Sequence, residues 1–425
     1  MDLRRYGTLG NEFVSRIWRG MEMISSDMAF HEIMDRQIVL GKKACSVFDS
    51  LGQVLSCDVF YENNGPSFDR VAMDGVAINF QQRIAGNLTT HKIEAVQRAG
   101  TEKLTLKHHG CAIEVMTGAI LPNGVDTVIP YERCTIESGS VSFDPQYDLN
   151  MGSNVHRKGS DFKKGDLCLK RSSPISAPMI GTIVSQGVSE LDVVRTPSIC
   201  VVSTGDELVE LDATPFEHQL RRSNPYAIRS VLSDYGIKNV ELSHIVDDKE
   251  ILYEKLGAII SDHDVTIITG GVSMGKFDFI PQILSDLKVE KVFHKIKQKP
   301  GKPMWYGVNA SGAQVFGLPG NPISSLVCLI RYVAPALLKV SGHGYHQRFV
   351  KLSQKMSFKK EMTYFPPVIV NIDDHGQLWA TPIEFNGSGD YASLSHSSGV
   401  VELCSHKEHF EKGSVVPIFL WRKNL

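Results

Sequence analysis

Three short loops combine the residue types that hold a phosphorylated ligand. Gly270-Gly271-Val272-Ser273-Met274-Gly275 follows a β-branched run, and its glycines let backbone N–H groups approach an anion. In Gly317-Leu318-Pro319-Gly320-Asn321-Pro322, Asn321 is placed to cap a helix that Pro322 begins, which leaves amides unpaired at a rigid turn. Ser203-Thr204-Gly205-Asp206-Glu207 brings carboxylates to the same edge. One glycine-rich turn is usually structural, but three on one sheet edge are hard to explain by loop geometry alone. Between them in sequence lies Lys299-Pro300-Gly301-Lys302-Pro303. The prolines fix φ and remove donors, so two ammonium groups are presented by a stiff loop. Most lysine pairs are solvated turns; here stiffness and position favour an oxyanion clamp, because crowded cations repel unless an anion lies between them.

These loops need a scaffold, and the surrounding pattern supplies one. Ile199 to Ser203 and Val265 to Thr269 read as buried strands, Val240 to Val246 as another, and Gln314 to Leu318 as the last. Helical stretches separate them: Asn224 is read as a cap before Pro225, with Ile228, Val231 and Leu232 on one face, and Ile251, Leu252, Leu256, Ile259 and Ile260 mark the next. Alternating strand and helix predicts a parallel sheet with right-handed crossovers, a doubly wound α/β domain at 197–344. Ligands of such sheets bind outside the carboxyl ends of the strands, where the three loops fall.

The flanks differ. Residues 76–150 break into short β-branched runs between Gly, Asn and Ser turns, which predicts an inserted β domain. The segments 21–75 and 151–196 on either side of it are expected to form one discontinuous helical/linker domain, with a helical pattern from Ser25 to about Ser50. Residues 345–425 return to strands and predict a small C-terminal β-barrel. The fold class is therefore α/β plus β, in several domains, as a chain of 425 residues requires.

Composition narrows the function. Hydrophobic residues make up 42% and charged residues 22%, the balance of a soluble globular protein. With 45 Lys+Arg against 47 Asp+Glu there is no basic excess to replace phosphate counterions, which argues against nucleic acid. The eight cysteines form no C-x-x-C pair and read as reduced thiols. Arg4, Arg5, Arg16 and Arg19 precede no apolar core, so no secretory signal is expected, and Arg331 and Lys339 interrupt the longest apolar stretch. A cytoplasmic protein that does not span a membrane is the expectation. Cys404-x-His406-x-x-His409 has metal-ligand residue types, but such patterns arise easily and a solvated cluster is expected.

A resemblance emerges from seven stretches in order. Asp69-Arg70-Val71-Ala72-Met73-Asp74-Gly75 resembles the S-A-M-D-G-Y-A element of the MoeA/gephyrin-E family of molybdopterin molybdenumtransferases. Met116-Thr117-Gly118-Ala119, with Leu121-Pro122 and Val125-Asp126, resembles its T-G-A-x-x-P-x-G-A-D stretch. Asn154 to Asp161 is similar to N-x-R-x-x-G-x-D with one residue shifted, and 203–208, 270–278, 299–303 and 317–322 match the remaining signatures. The resemblance runs from about residue 26 to the C-terminus.

That resemblance implies insertion of molybdate into adenylylated molybdopterin (molybdopterin-AMP), with Mg²⁺-dependent release of AMP. It implies a homodimer with the active site between subunits, and contacts with molybdopterin adenylyltransferase or apo-molybdoenzymes. Asp278, Asp74, Asp161, Glu207 and Thr117 correspond to catalytic residues, with Asp278 and Glu207 as metal ligands. Gly270, Gly271, Ser273, Gly275, Pro319, Gly320, Asn321 and Ser393 correspond to substrate-binding positions, and Lys299, Lys302 and Pro303 to the molybdate loop.

The chain also departs from the family. Met362 stands where an arginine usually precedes the phenylalanine matched by Phe365, Pro367 replaces another common arginine, and Val76 replaces a tyrosine. A thioether does not attract an oxyanion, so a catalytically impaired paralogue or scaffold is the rival reading, separated from an enzyme by AMP release from molybdopterin-AMP. A second rival shares only the α/β domain, as competence-damage-type nucleotide hydrolases do; Asp74, Thr117 and Asp161 outside that domain argue against it.

Overall fold

The computed structural model describes residues 23–36, 38–273, 278–358 and 361–423. The N-terminal arginines and Gly275 lie outside the described residues. The chain separates into two compact units. One holds the described residues up to Ala44, Gly52–Val54 and Asp192 onward; the other holds Cys45–Leu51 and Leu55–Leu191.

The larger unit is built on a six-stranded sheet of β1 (Ile199–Thr204), β2 (Val240–Ile245), β3 (Val265–Thr269), β4 (Glu290–His294), β5 (Trp305–Val308) and β6 (Gln314–Leu318). Their spatial order is β2-β1-β3-β6-β5-β4. The first four run parallel, β5 pairs antiparallel with β6, and β4 pairs antiparallel with β5. β1 shows why both faces are covered. Ile199 and Val201 enter one apolar core with Ile228, Val231 and Leu232 of α1 (Asn224–Asp234). Cys200 and Val202 enter another with Leu252, Leu256 and Ile260 of α2 (Lys249–Asp262) and Ile283 of α3 (Ile280–Asp286). A strand apolar at every position buries both faces, as the doubly wound pattern requires.

Pro322–Val340 forms α4, which is apolar enough to cross a membrane but is 94% buried inside the protein, making it a core helix. Its middle turn, Leu329–Val333, widens to π-helical geometry. Beyond it β7 (Arg348–Leu352), β8 (Pro367–Ile372), β9 (Leu378–Pro382), β10 (Gly399–Val401) and β11 (Val415–Leu420) close into a five-stranded barrel. The stretch expected to be helical from Ser25 stops early: the helix covers Ser26–Asp35 with Ser25 as its cap, and Lys42–Ser46 is a strand. Ile38, Val39 and Gly41 disfavour continuing the helix. β4 and β5 were not expected. They are short strands at the antiparallel edge, where local alternation is weak.

At the start of the sheet Asp264 accepts both Arg195 guanidinium nitrogens at 2.7 and 2.9 Å and the Ser198 N–H at 2.8 Å. Arg195 and Ser198 hold this carboxyl down at about 2. A depressed carboxyl stabilises the fold above its unfolded value near 4, and that contribution disappears as pH falls through its folded value. Asp264→Asn is therefore expected to lower stability by about 2 kcal/mol at pH 7. The gap should narrow as pH drops below about 4, read from urea midpoints; a pH-independent gap would contradict this linkage.

In the smaller unit, six strands lie in the order Thr127–Pro130, Gly75–Ile78, Ala112–Val115, Thr90–Gln97, Ser140–Phe143 and Cys134–Glu137. Only the Thr90–Gln97 and Ala112–Val115 pair is parallel. Helix Ala177–Ser185 and short antiparallel pairs, such as Arg70–Val71 with Val155–His156, complete it.

Candidate active site

The carboxyl ends of β1, β3 and β6 open onto one cavity of about 710 Å³. Glu207 lines it after β1, Gly270, Gly271, Ser273 and Asp278 after β3, and Pro319, Gly320 and Asn321 after β6, with Pro303 at the side. Gly270 and Gly271 have φ of 101° and 63°. A Cβ on Gly270 would stand 2.8 Å from the Thr204 carbonyl, so only glycine brings these two corners together. The Gly270 N–H donates to Leu318 O at 3.2 Å, which ties in the third corner.

Asn224, read as a helix cap, does other work. Ser223 occupies the cap position without a side-chain bond, and Asn224 begins the helix. Its Nδ2 donates to Thr269 Oγ1 at 3.0 Å and Gly320 O at 2.7 Å, and its Oδ1 accepts from Tyr391 OH at 2.8 Å. One amide thus joins two glycine corners to the segment before β10. Asn321 precedes α4 as expected but does not cap it by its side chain; its Nδ2 donates to Ser388 Oγ at 2.9 Å. The Ile323 N–H donates to Ser388 O at 3.0 Å, so the chain itself fills part of this second amide corner.

Asp247 also lines the cavity and was missed, because it follows β2 in an unremarkable Asp-Asp pair. Burial raises its carboxyl above the ordinary range, and the charges of Asp206, Glu207 and Asp278 raise it further. That crowding marks a place where a cation lowers the free energy. Nearby, His294 Nε2 lies 2.8 Å from Val272 O, and burial lowers its imidazole below the usual value.

Lys299 and Lys302 are exposed, and of their loop only Pro303 reaches the cavity lining. Stiffness comes from behind as well as from the prolines. Buried Gln298 donates to Pro300 O at 3.0 Å and accepts from Tyr332 OH, which also bonds Ser26 Oγ at 2.9 Å. Cys328 Sγ lies 3.5 Å from Gly301 O. The π-helical turn of α4 holds Tyr332, directly after Cys328 and its neighbours, against this loop. Ser393 is absent from the cavity lining: its N–H donates to Asp390 Oδ1 at 3.1 Å, and Asp390 caps the short helix Tyr391–Ser395.

In the smaller unit Asp74 and Thr117 meet directly. The Thr117 N–H donates to Asp74 Oδ1 at 2.6 Å, and that bond holds the exposed Asp74 carboxyl below its usual range. Tyr131 stands beside them, its hydroxyl donating to Glu114 Oε1 at 2.5 Å. Asp161 sits apart on an exposed turn, its N–H bonded to Gly65 O at 2.9 Å and its Oδ1 accepting from Ser160 Oγ at 3.1 Å.

Three family models cover most of the chain: the MoeA N-terminal region (domains I and II) over residues 24–187, a probable molybdopterin-binding domain over 200–339, and the MoeA C-terminal region (domain IV) over 350–421. A molybdopterin molybdenumtransferase from Synechocystis sp. is 37% identical over 400 residues, spanning 94% of this chain and all of that protein. The chain belongs to the molybdopterin molybdenumtransferase family. It is a transferase of molybdenum cofactor biosynthesis. A Staphylococcus epidermidis molybdopterin molybdenumtransferase is 27% identical over 94% of this chain and 96% of its own length. The crystal structure of the molybdopterin biosynthesis MoeA protein from Pyrococcus horikosii superposes with a TM-score of 0.81 at 26% identity, covering 94% of this chain and all of that one.

As a molybdenumtransferase, the chain places its departures informatively. Met362 precedes Thr363, and Thr363-Tyr364 runs parallel to Gln298-Lys299. Met362 therefore lies one residue before this pairing, and Tyr364 is the residue opposite Lys299. The C-terminal Cys/His pattern does not assemble: Cys404 Sγ lies 3.4 Å from His406 Nε2, but His409 Nδ1 is 3.0 Å from Ser357 Oγ. Among the described residues no three His, Cys, Asp or Glu side chains gather as a metal cage.

Proposed function

We propose that this transferase inserts molybdate into adenylylated molybdopterin and releases AMP in a Mg²⁺-dependent step. One observation carries the reading: a single cavity at the carboxyl ends of β1, β3 and β6 combines glycine corners with the carboxylates of Glu207, Asp247 and Asp278. The amide corners, with Ser273, suit phosphate oxygens. Lys299 and Lys302, fixed from behind by Gln298, suit the incoming oxyanion.

The donor set fits Mg²⁺, which takes one or two carboxylates, keeps its waters and accepts phosphate oxygens instead of needing a protein cage. Asp278 and Glu207 would hold it, and the charge repulsion felt by Asp247 is what a cation relieves. Bound there, it would neutralise charge on the phosphoanhydride. The chain's own groups bind and orient. Water adds to phosphorus, the bridging P–O bond breaks, and a nearby carboxylate passes the released proton to solvent.

The same reading assigns Asp74, Thr117 and Asp161 to catalysis, with substrate held between subunits of a homodimer in a cytoplasmic protein. It keeps the limits 21–75 with 151–196, 76–150, 197–344 and 345–425 as domains, and admits hand-over contacts with molybdopterin adenylyltransferase or apo-molybdoenzymes. Met362 in place of an arginine favours the rival, a scaffold that binds the pterin without turning it over.

Purified protein incubated with molybdopterin-AMP separates the two. AMP release that needs both molybdate and Mg²⁺ is expected. Tight binding with no AMP under any condition would leave the scaffold.

A further inference from the structure

Three acids line the cavity, Glu207, Asp247 and Asp278, and together they repel a phosphoanhydride. Among the described lining residues two are cations, Arg221 and Arg222. Arg221 is exposed, and its Nε donates to Leu211 O at 3.1 Å. Arg222 is different. Its side chain is only 6% exposed, and its one carboxylate partner is Glu210 at 3.0 Å, itself 56% exposed. Its Nε is buried with no acceptor. A guanidinium carries five donors; here the Nε–H is held out of water with nothing to donate to, while the group lies 6.0 Å from the Tyr226 ring centroid. Burying a cation with one donor unsatisfied and its carboxylate partner in water is unfavourable unless something else completes it.

The backbone explains how it is held there. The Arg222 N–H donates to Val209 O at 3.0 Å, continuing the pairing of Leu208–Val209 with Leu220–Arg221. Two residues later Asn224 ties down the glycine corners, so the guanidinium is anchored on the segment that organises them. Its field reaches His244, where burial lowers the imidazole below its usual value and the charge of Arg222 adds to that lowering.

We propose that Arg222 is a phosphate-binding residue of this cavity, its guanidinium exchanging the exposed Glu210 carboxylate for phosphoryl oxygens of the bound substrate. Guanidinium matches phosphate in a bidentate fork that Glu210 alone does not use. The assignment rests on the reading that adenylylated molybdopterin occupies this cavity, and it adds Glu210 as an internal competitor for the arginine.

AMP itself is the probe, with binding followed by calorimetry on the full chain at low salt. Arg222→Met is expected to weaken AMP about tenfold or more, and Glu210→Gln, on an exposed side chain, to tighten it severalfold. AMP binding within twofold of the unmodified protein in both variants overturns the proposal. If Arg222→Met does not fold, Glu210→Gln decides alone: tightening supports the exchange, and no change overturns it. Turnover is measured separately. Absence of AMP release from molybdopterin-AMP in the unmodified protein would sink the enzymatic reading, while the AMP affinities would still report on Arg222.

Discussion

Asp278→Asn is expected to bind molybdopterin-AMP within a few-fold of the unmodified protein and to release AMP at least tenfold more slowly. The exchange preserves shape and removes one charge, so a loss confined to turnover isolates what that charge does. Removing a group that holds a catalytic metal or moves a proton typically lowers the rate by factors of ten to many thousands. A second readout is built into the site. The Asp278 charge helps raise the Asp247 carboxyl and opposes the lowering of the His294 imidazole. In the variant both groups should titrate at lower pH than before, observable by NMR, although burial remains the larger cause at each. Unchanged AMP release, with those titrations shifted, would show that Asp278 is present in the cavity but not needed for cleavage.

Gly75→Ala is expected to destabilise the smaller unit by about 3 kcal/mol, near the upper end for forced overpacking. Gly75 sits in a strand paired on both sides, with Val115 and with Pro130. A Cβ there would stand 2.0 Å from Ile129 O, an atom fixed in the sheet. The backbone itself has to move, which costs more than re-aiming a side chain. For a unit of this size the melting temperature should fall by roughly 6–12 °C. Because Asp74 immediately precedes the displaced strand, its bond from the Thr117 N–H should loosen too, and the Asp74 carboxyl should titrate closer to its ordinary value. A variant with unaltered melting would mean that the two strands separate here more easily than their pairing implies.

Much of this was legible from residue order. Unbroken apolar runs at β1, β3 and β6 announced strands buried on both faces, and glycine with proline directly after them announced corners. Such signals are local, because hydrophobic period and turn chemistry act within a few residues. The family motifs were legible for the same reason, being contiguous. Asp74 and Thr117 could be paired only as members of those motifs, since 43 positions separate them.

What the chain's order determined, then, was the scaffold, the corner loops and the family to which they belong. Tertiary structure alone decided which polar groups are satisfied and which stand ready for a ligand. Asn224 was assigned to a helix cap, yet folding spends its amide on Thr269 and Gly320. Ser393 was placed with substrate, yet Asp390 takes it. Asp247 and Arg222 carried no sequence signal, because a charge in a loop acquires meaning only when distant segments bury it and choose its neighbours. Burial and hydrogen-bond partnership are properties of the assembled chain, and they set which charges remain for chemistry.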